Sequence, residues 1–360
     1  MSAETGTNCE VRLAKRPGKD ESVAGDDFEV VKSEVQEVRD DLEDGEVKLE
    51  VLVVSVDPYM RCRFNESTGA DYMGPFVPGK AICSGGAATV LESKHPGFAK
   101  GDVLVSQMFM PWKRVCVLRP DDLSDAIKLP EGADPMMSVG PLGMPGLSAW
   151  FGVEQSKPIE GELCVLSSCA GGVGSVAGQV FRQRGLRVIG ICGSQEKASW
   201  SQELGIADVA LSYRDPDFDA KLKDACDGKV DLYFDNVGGT ISEKVIMQLK
   251  KGGRVIVCGQ ISSYNQDTTR DDYVYPDPLP APVAQHLESL GGTRERFFVG
   301  WYTEKNVEAL REMQKQQSEG TLKAPISWVH GLENAGTAFC DMMAGKHMGK
   351  VLVDCRPRAQ

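Results

Sequence analysis

A chain of 360 residues, 41% hydrophobic and 26% charged, is long enough for two domains and a sizeable core. Its net charge of −12 and pI of about 5.0 exclude a whole-surface nucleic-acid binder, which needs a basic face, but leave room for a local phosphate pocket. No apolar run approaches the roughly 20 residues that span a bilayer, and the polar residues 1–27 hold no apolar signal segment, so a cytoplasmic protein without membrane or nucleic-acid partners is expected.

The first ten or so residues read as a poorly ordered tail. Residues 28–56 alternate charged and apolar positions, and short β-rich runs broken by Gly and Pro continue to residue 117. Residues 1–138 are therefore expected to form a mostly β domain. A Gly- and Pro-rich link, residues 140–146, marks a boundary. Beyond it, strand-like runs at 163–166, 187–192, 208–211, 230–234 and 254–258 alternate with helical stretches such as 196–204 and 242–250. Alternating β and α units predict an α/β, doubly wound parallel sheet over residues 139–301. Residues 267–282, rich in Pro and Asp, read as irregular. Residues 306–317 and 331–343 read as helices and 351–353 as a last strand, within a segment, 302–360, expected to return to the first domain. Eleven cysteines are scattered without a C-x-x-C pair, which suits reduced thiols in a cytosolic interior.

The run 163–166 leads at once into Cys169-Ala170-Gly171-Gly172-Val173-Gly174. Val173, Val176, Ala177, Val180 and Phe181 then recur at helical spacing. Strand, tight glycine turn and helix present free backbone amides to a phosphate. The second and third glycines of a dinucleotide fingerprint are in place, and Cys169 stands where the first would be. An NAD site puts an acidic residue near the end of the next strand. Here that strand ends in small residues, and Lys197 follows within one helical turn, suited to a 2′-phosphate. Tyr213, after the following strand, would lie against the adenosine ribose. NADPH is expected over NADH, although Glu196 beside Lys197 could turn toward the ribose.

A catalytic zinc of the alcohol dehydrogenase kind needs Cys, His and a second Cys or carboxylate in the first domain. Of four histidines only His95 lies there, in an exposed-looking turn, and Cys62 has no partners. No metal is expected. Without a Lewis acid, hydride transfer to an already polarised double bond is the natural chemistry.

Several stretches together resemble a known family. They are Val56-Asp-Pro-Tyr-Met-Arg-Cys-Arg63, Gly143-Met-Pro-Gly146, Ala170-Gly-Gly-Val-Gly-Ser175, Tyr233-Phe-Asp-Asn-Val-Gly-Gly239, Cys258-Gly-Gln-Ile-Ser-Ser-Tyr-Asn265 and Gly349-Lys350. They are similar to the zinc-independent medium-chain reductases that include prostaglandin reductases and plant alkenal double-bond reductases. The similarity runs from about residue 25 to 355, and its details look most like the branch that reduces 15-oxo-prostaglandins with NADPH. The resemblance implies a GroES-like β-rich catalytic domain beside a Rossmann domain. It implies that Ala170, Gly171, Gly172 and Val173 hug the pyrophosphate and that Lys197 and Tyr213 hold the 2′-phosphate end. Asn236 would contact the cofactor beyond the pyrophosphate. Cys258, Gly259, Gln260, Ile261, Ser262, Ser263 and Tyr264 would line its nicotinamide half, with Phe297, Phe298 and Val299 packed nearby. Met108 and Phe109 would sit on the substrate side. His347 stands where the family usually has a cofactor-binding Asn, and histidine is bulkier and titrates near neutral pH. Residues 268–275 read as an insert at the pocket rim.

The expected reaction is a conjugate reduction. NADPH delivers hydride to the β-carbon of an α,β-unsaturated ketone, and charge builds on the carbonyl oxygen. A donor aimed at that oxygen lowers the barrier. Tyr264 is the candidate, six residues past the strand ending at Cys258, with an unperturbed pKa of roughly 10 that keeps its proton at pH 7. Tyr59 either walls the substrate cleft or belongs to a structural turn. Arg61 and Arg63 either attract a fatty-acid carboxylate or pair with acidic residues at the surface, and the surface pairing is expected. Met108, Phe109, Met110 and Trp112 contact a lipid chain or the core. A quinone reductase and a non-catalytic, crystallin-like nucleotide binder are the alternatives; a monomer or homodimer suits each.

Overall fold

In the computed structural model, which describes residues 6–69 and 73–356, the chain opens with an antiparallel pair, β1 (Thr7–Leu13) and β2 (Phe28–Glu34). This corrects the expected tail. Asn8 is buried, and its side-chain amide donates to the carbonyl of Val115 at 3.0 Å and accepts from the Val115 amide at 2.9 Å. That pairing ties residues 7–10 into the sheet; residues 1–5 lie outside the described residues. After β2 come β3 (Val47–Val56), α1 (Met60–Arg63), β4 (Cys83–Ser93), β5 (Val103–Pro111), β6 (Val115–Leu118), β7 (Ile127–Lys128) and α2 (Pro135–Val139). Their core holds Leu49, Met60, Phe64, Trp112 and Leu118.

Next follow α3 (Met144–Ser156), β8 (Leu163–Ser167), α4 (Gly172–Gln183), β9 (Arg187–Cys192), α5 (Gln195–Glu203), β10 (Val209–Ser212), α6 (Phe218–Cys226), β11 (Val230–Asp235), α7 (Gly239–Ile246), β12 (Leu249–Val257), α8 (Ala281–Ser289) and β13 (Thr293–Arg296). Six strands form one parallel sheet in the order β10-β9-β8-β11-β12-β13. Chain order reverses between β8 and β11, and a ligand crevice opens at such a reversal. β8 and β11 are buried along their whole length between the cores on the two faces of the sheet, which is why β8 reads as an apolar run, while β11 buries Asp231 and Asp235 within its apolar residues. One helix differs from expectation. The stretch 242–250 splits: α7 stops at Ile246, and Leu249 begins β12, paired with Val230. The polar Lys250 and Lys251 had hidden the start of that strand, whose register shifts just there.

The chain then forms α9 (Asn306–Ser318), β14 (Ile326–His330), α10 (Ala335–Met343) and β15 (Lys350–Asp354). Ala309, Met313 and Leu322 pack into the core of the parallel sheet, so the return to the first sheet begins later than residue 302. β15 lies between β14 and β3, in the seven-stranded sheet β14-β15-β3-β4-β5-β7, where β6 also pairs with β3 off that path, and Phe339 joins the first core. Among the described residues no helix is long and apolar enough to cross a membrane.

Candidate active site

The glycine turn stands at the end of β8. Ser168 takes φ +54, the amide of Gly171 donates to the Ser168 carbonyl at 2.9 Å, and the chain enters α4. A Cβ at Gly174 would lie 2.2 Å from that carbonyl oxygen, so only glycine lets helix and turn close this tightly. Cys169, at the first-glycine place, is buried, with its amide bonded to the Ile191 carbonyl at 3.1 Å. Its sulfur lies over Gly190 on β9, where a Cβ would stand 2.7 Å from Sγ. The room that the fingerprint takes from its first glycine is here supplied by the neighbouring strand. No side chain caps α4, so the first-turn amides are available to an anion. This cradle fits a dinucleotide pyrophosphate.

At the end of β9, Ser194 caps α5 by accepting from the Lys197 amide at 3.2 Å. Lys197 is half-buried, and Nζ donates to the Gly345 carbonyl at 2.7 Å. Burial pulls its pKa below the usual lysine value, and Arg214 nearby adds to this. Glu196 is exposed. The Tyr213 amide donates to the Cys192 carbonyl at 3.0 Å, and its hydroxyl lies 3.4 Å from where Gly193 would carry a Cβ. The Arg214 guanidinium stands 5.6 Å from the centre of the Tyr213 ring. Arg214 is a cation that sequence reading missed, because no motif marks it. Residues 345–349 bridge this corner to the glycine turn, where the Gly349 amide donates to the Ala170 carbonyl at 2.8 Å. His347 lies on that bridge, half-buried, its Nε2 buried without a hydrogen-bond partner. Burial lowers its pKa, against the pull of Asp341 and with the help of Lys197 and Lys346, so the imidazole is neutral at pH 7.

At the switch point the buried Asp235 organises the end of β11. Its carboxylate accepts from the Tyr233 hydroxyl at 2.7 Å, the Val237 and Gly238 amides at 3.0 and 2.9 Å, and the Ser242 hydroxyl at 2.8 Å. This residue too was missed; its only signal is an acid closing an apolar run. Asn236 spends one amide hydrogen on the Ser167 carbonyl at 2.8 Å. The loop after β12 hangs on this turn: Cys258 and Gly259 donate to the Asp235 carbonyl, Ile261 to that of Asn236, and Ser262 to that of Val237. Gln260 is buried and accepts from the Asp277 amide at 2.7 Å. Ser263 bonds back to the Gln260 carbonyl at 2.9 Å. Tyr264 is half-buried, its hydroxyl 2.9 Å from where Gly259 would carry a Cβ. Burial pushes its pKa well above the usual tyrosine value, and Tyr275, Cys62 and Cys258 add to the shift.

Tyr59 begins α1 and packs against the first core. Met108 and Phe109 are half-buried at an irregular part of β5, where the Met108 amide turns to Asp125 at 3.0 Å and the Phe109 amide to Ser106 at 2.8 Å. Met110 and Trp112 are core. The expected surface pairing of Arg61 and Arg63 is wrong. Both are buried: Arg61 bonds to Asn265, Asn65 and the Glu21 carbonyl, and Arg63 to Gly74 and Cys83, with its guanidinium 4.2 Å from the Phe76 ring centre. Neutral acceptors, invisible in the sequence, took the place of surface carboxylates. Phe297 serves the core of the parallel sheet, stacked on Tyr302, while Phe298 and Val299 are half-buried beyond the end of β13. Arg270, Tyr273 and Val274 from the 268–275 segment line a cavity of about 350 Å³ with Gln260 and Arg294. Among the described residues no group of three or more His, Cys, Asp or Glu side chains is arranged to hold a metal ion.

The glycine turn, Lys197, Tyr213, Asn236 and the loop at 258–264 therefore stand along one edge, at the C-terminal ends of the parallel strands. A family model described as "Zinc-binding dehydrogenase" matches residues 172–283, and one described as "N-terminal domain of oxidoreductase" matches residues 10–125. The chain is 34% identical to prostaglandin reductase 1 of Bos taurus over 87% of its own length and 90% of that protein's. It is 32% identical to the NADPH-dependent curcumin reductase of Escherichia coli (strain K12), over 86% and 88%. The crystal structure of CurA in complex with NADPH from Vibrio vulnificus superposes with a TM-score of 0.83 at 26% identity, covering 97% of this chain and 100% of that one.

Proposed function

We infer that this chain, which belongs to the prostaglandin reductase family of zinc-independent medium-chain dehydrogenase/reductases, is an NADPH-dependent reductase of the conjugated C=C bond in α,β-unsaturated ketones. Its substrates are 15-oxo-prostaglandins or related lipid enones and alkenals. The β domain, residues 1–138, is the catalytic domain; residues 139–301 hold the cofactor. Its eleven free thiols suit a reducing cytoplasm.

Gly172 and Val173 offer the pyrophosphate the open first-turn amides of α4, and Ala170 and Gly171 bound it from the turn. Lys197 and Tyr213, joined by Arg214, hold the 2′-phosphate. Residues 258–264 and Asn236 line the nicotinamide half. NADPH, when bound, supplies the hydride that reaches the substrate β-carbon. The Tyr264 hydroxyl then donates a hydrogen bond to the carbonyl oxygen as the π electrons of the double bond move onto it. Tyr264 keeps its own proton, and water protonates the α-carbon. Tyr59, Met108 and Phe109 bound the substrate.

The observation that carries this reading is Tyr264 itself. It is a phenol just past the end of β12, next to Asn265, which bonds to Arg61 of the first domain, and burial raises its pKa, so it keeps its proton at pH 7. NADPH oxidation by the purified protein, followed at 340 nm with a panel of enones, alkenals and quinones, tests it. Turnover is expected with 15-oxo-prostaglandin or an alkenal; turnover with quinones alone overturns it. Tyr264→Phe is expected to lower kcat about 100-fold, in the range of a lost oxyanion donor.

A further inference from the structure

The loop that carries Tyr264 leaves the end of β12 and belongs by connectivity to the parallel sheet. What holds its far side belongs to the first domain, to α1 and the segments beside it. Asn265, the next residue, accepts from Nε of Arg61 through Oδ1 at 2.8 Å, and its carbonyl accepts from Nη2 at 3.4 Å. Its own Nδ2 donates to the Ser22 hydroxyl at 3.1 Å. Arg61 completes its fork on Asn65 Oδ1 at 2.8 Å and the Glu21 carbonyl at 2.7 Å. On the loop itself, the Tyr264 amide makes one long bond, 3.4 Å, to the Ile261 carbonyl.

Arg61 is fully buried, and its acceptors here are all neutral oxygens. Burying a permanent charge on neutral partners is a poor way to gain stability, since a well-packed apolar side chain would do as well or better. Burial also pulls the arginine pKa below its usual value. What the planar fork does supply is direction: three of its nitrogens reach two asparagines and a carbonyl in a fixed geometry.

We propose that Arg61 is a positioning residue of the reaction, acting through Asn265 to set where the Tyr264 hydroxyl stands over the substrate. The first domain, not the cofactor domain, then places the hydrogen-bond donor. This rests on the role given to Tyr264 above. It also accounts for Arg61 following directly on Tyr59 and Met60: the turn that bounds the substrate and the cation that aims the phenol are one piece.

A double-mutant cycle on the full chain tests it, with kcat and KM for an enone and the NADPH Kd measured for Asn265→Ala, Tyr264→Phe and the double variant. Asn265→Ala is expected to lower kcat about 10-fold with NADPH affinity unchanged, the scale of a small misplacement of a catalytic group. In the Tyr264→Phe background it is expected to cost nothing further. Asn265→Asp, which still accepts from Arg61, is expected to restore most of kcat and guards against a folding defect. Equal losses from Asn265→Ala in both backgrounds, or no loss with Tyr264 present, overturn the proposal. Full turnover by Tyr264→Phe overturns instead the reading on which it rests.

Discussion

Lys197 carries the proposed choice of NADPH over NADH. Its ammonium is already held by the Gly345 carbonyl, so it enters the phosphate corner with little freedom left to lose. A hydrogen bond to a charged group is worth about 1.5–3 kcal/mol, or about 10- to 100-fold in affinity. Lys197→Ala is therefore expected to weaken NADPH by about 10-fold or more and to leave NADH unchanged, as read by fluorescence titration of both cofactors. Arg214 keeps part of the preference in that variant. Lys197 and Tyr213 were legible because the strand order places the ends of β9 and β10 side by side, and each residue sits a fixed distance past its strand. Arg214 was not, since only the fold turns its guanidinium toward the same corner.

The loop after β12 is an element held from two sides. Ile261 and Ser262 hang on the turn after β11, while Asn265 to Thr269 are gripped by residues 19–22 and 61–67. The outermost grip is Lys19, which pairs with Asp267 at 2.8 Å. That contact, with the Thr269 hydroxyl and amide, lowers the Asp267 pKa to about 2. A carboxylate whose folded pKa is depressed stabilises above its unfolded pKa, near 3.9, and that contribution is lost as pH falls through the folded value. The grip is expected to hold at pH 5 and above and to loosen between about pH 4 and pH 2. The amide chemical shift of Thr269, followed by NMR across that range, should titrate, and Asp267→Asn should abolish the titration.

Across the whole molecule the two sheets meet at Lys350. This side chain, fully buried at the start of β15, pairs with Asp57 at 2.6 Å and donates to the Val56 carbonyl at 2.6 Å. Asp57 also takes the Ser55 hydroxyl. Burial lowers the lysine pKa, and Asp57 opposes that shift. The same lysine packs its stem against Gly172 of the glycine turn. Removing one partner of a buried pair leaves the other charge uncompensated, at a cost of about 3–5 kcal/mol. Lys350→Met should lower the unfolding free energy by that amount, read as a lower urea midpoint at unchanged m-value, and Asp57→Asn added to it should recover part of the loss. If the single variant is as stable as the parent, the pair does not join the sheets energetically.

Local chemistry along the chain determined the α/β class, the parallel order of the second sheet, the glycine turn and the phenol that follows β12. Each depends on periodicity or spacing within about 20 residues, where the sequence is also the geometry. The resemblance to a family added the reaction. Tertiary structure alone decided the rest. It made strand β1 out of an expected tail, because Asn8 finds Val115 more than a hundred positions away. It buried Arg61 and Arg63 and matched Cys169 to Gly190. It closed the corner between Lys197 and the glycine turn with residues 345–349 and brought Arg61 to Asn265, 204 positions apart. A buried polar side chain takes whatever partner the packing presents, and no local pattern records which partner that is.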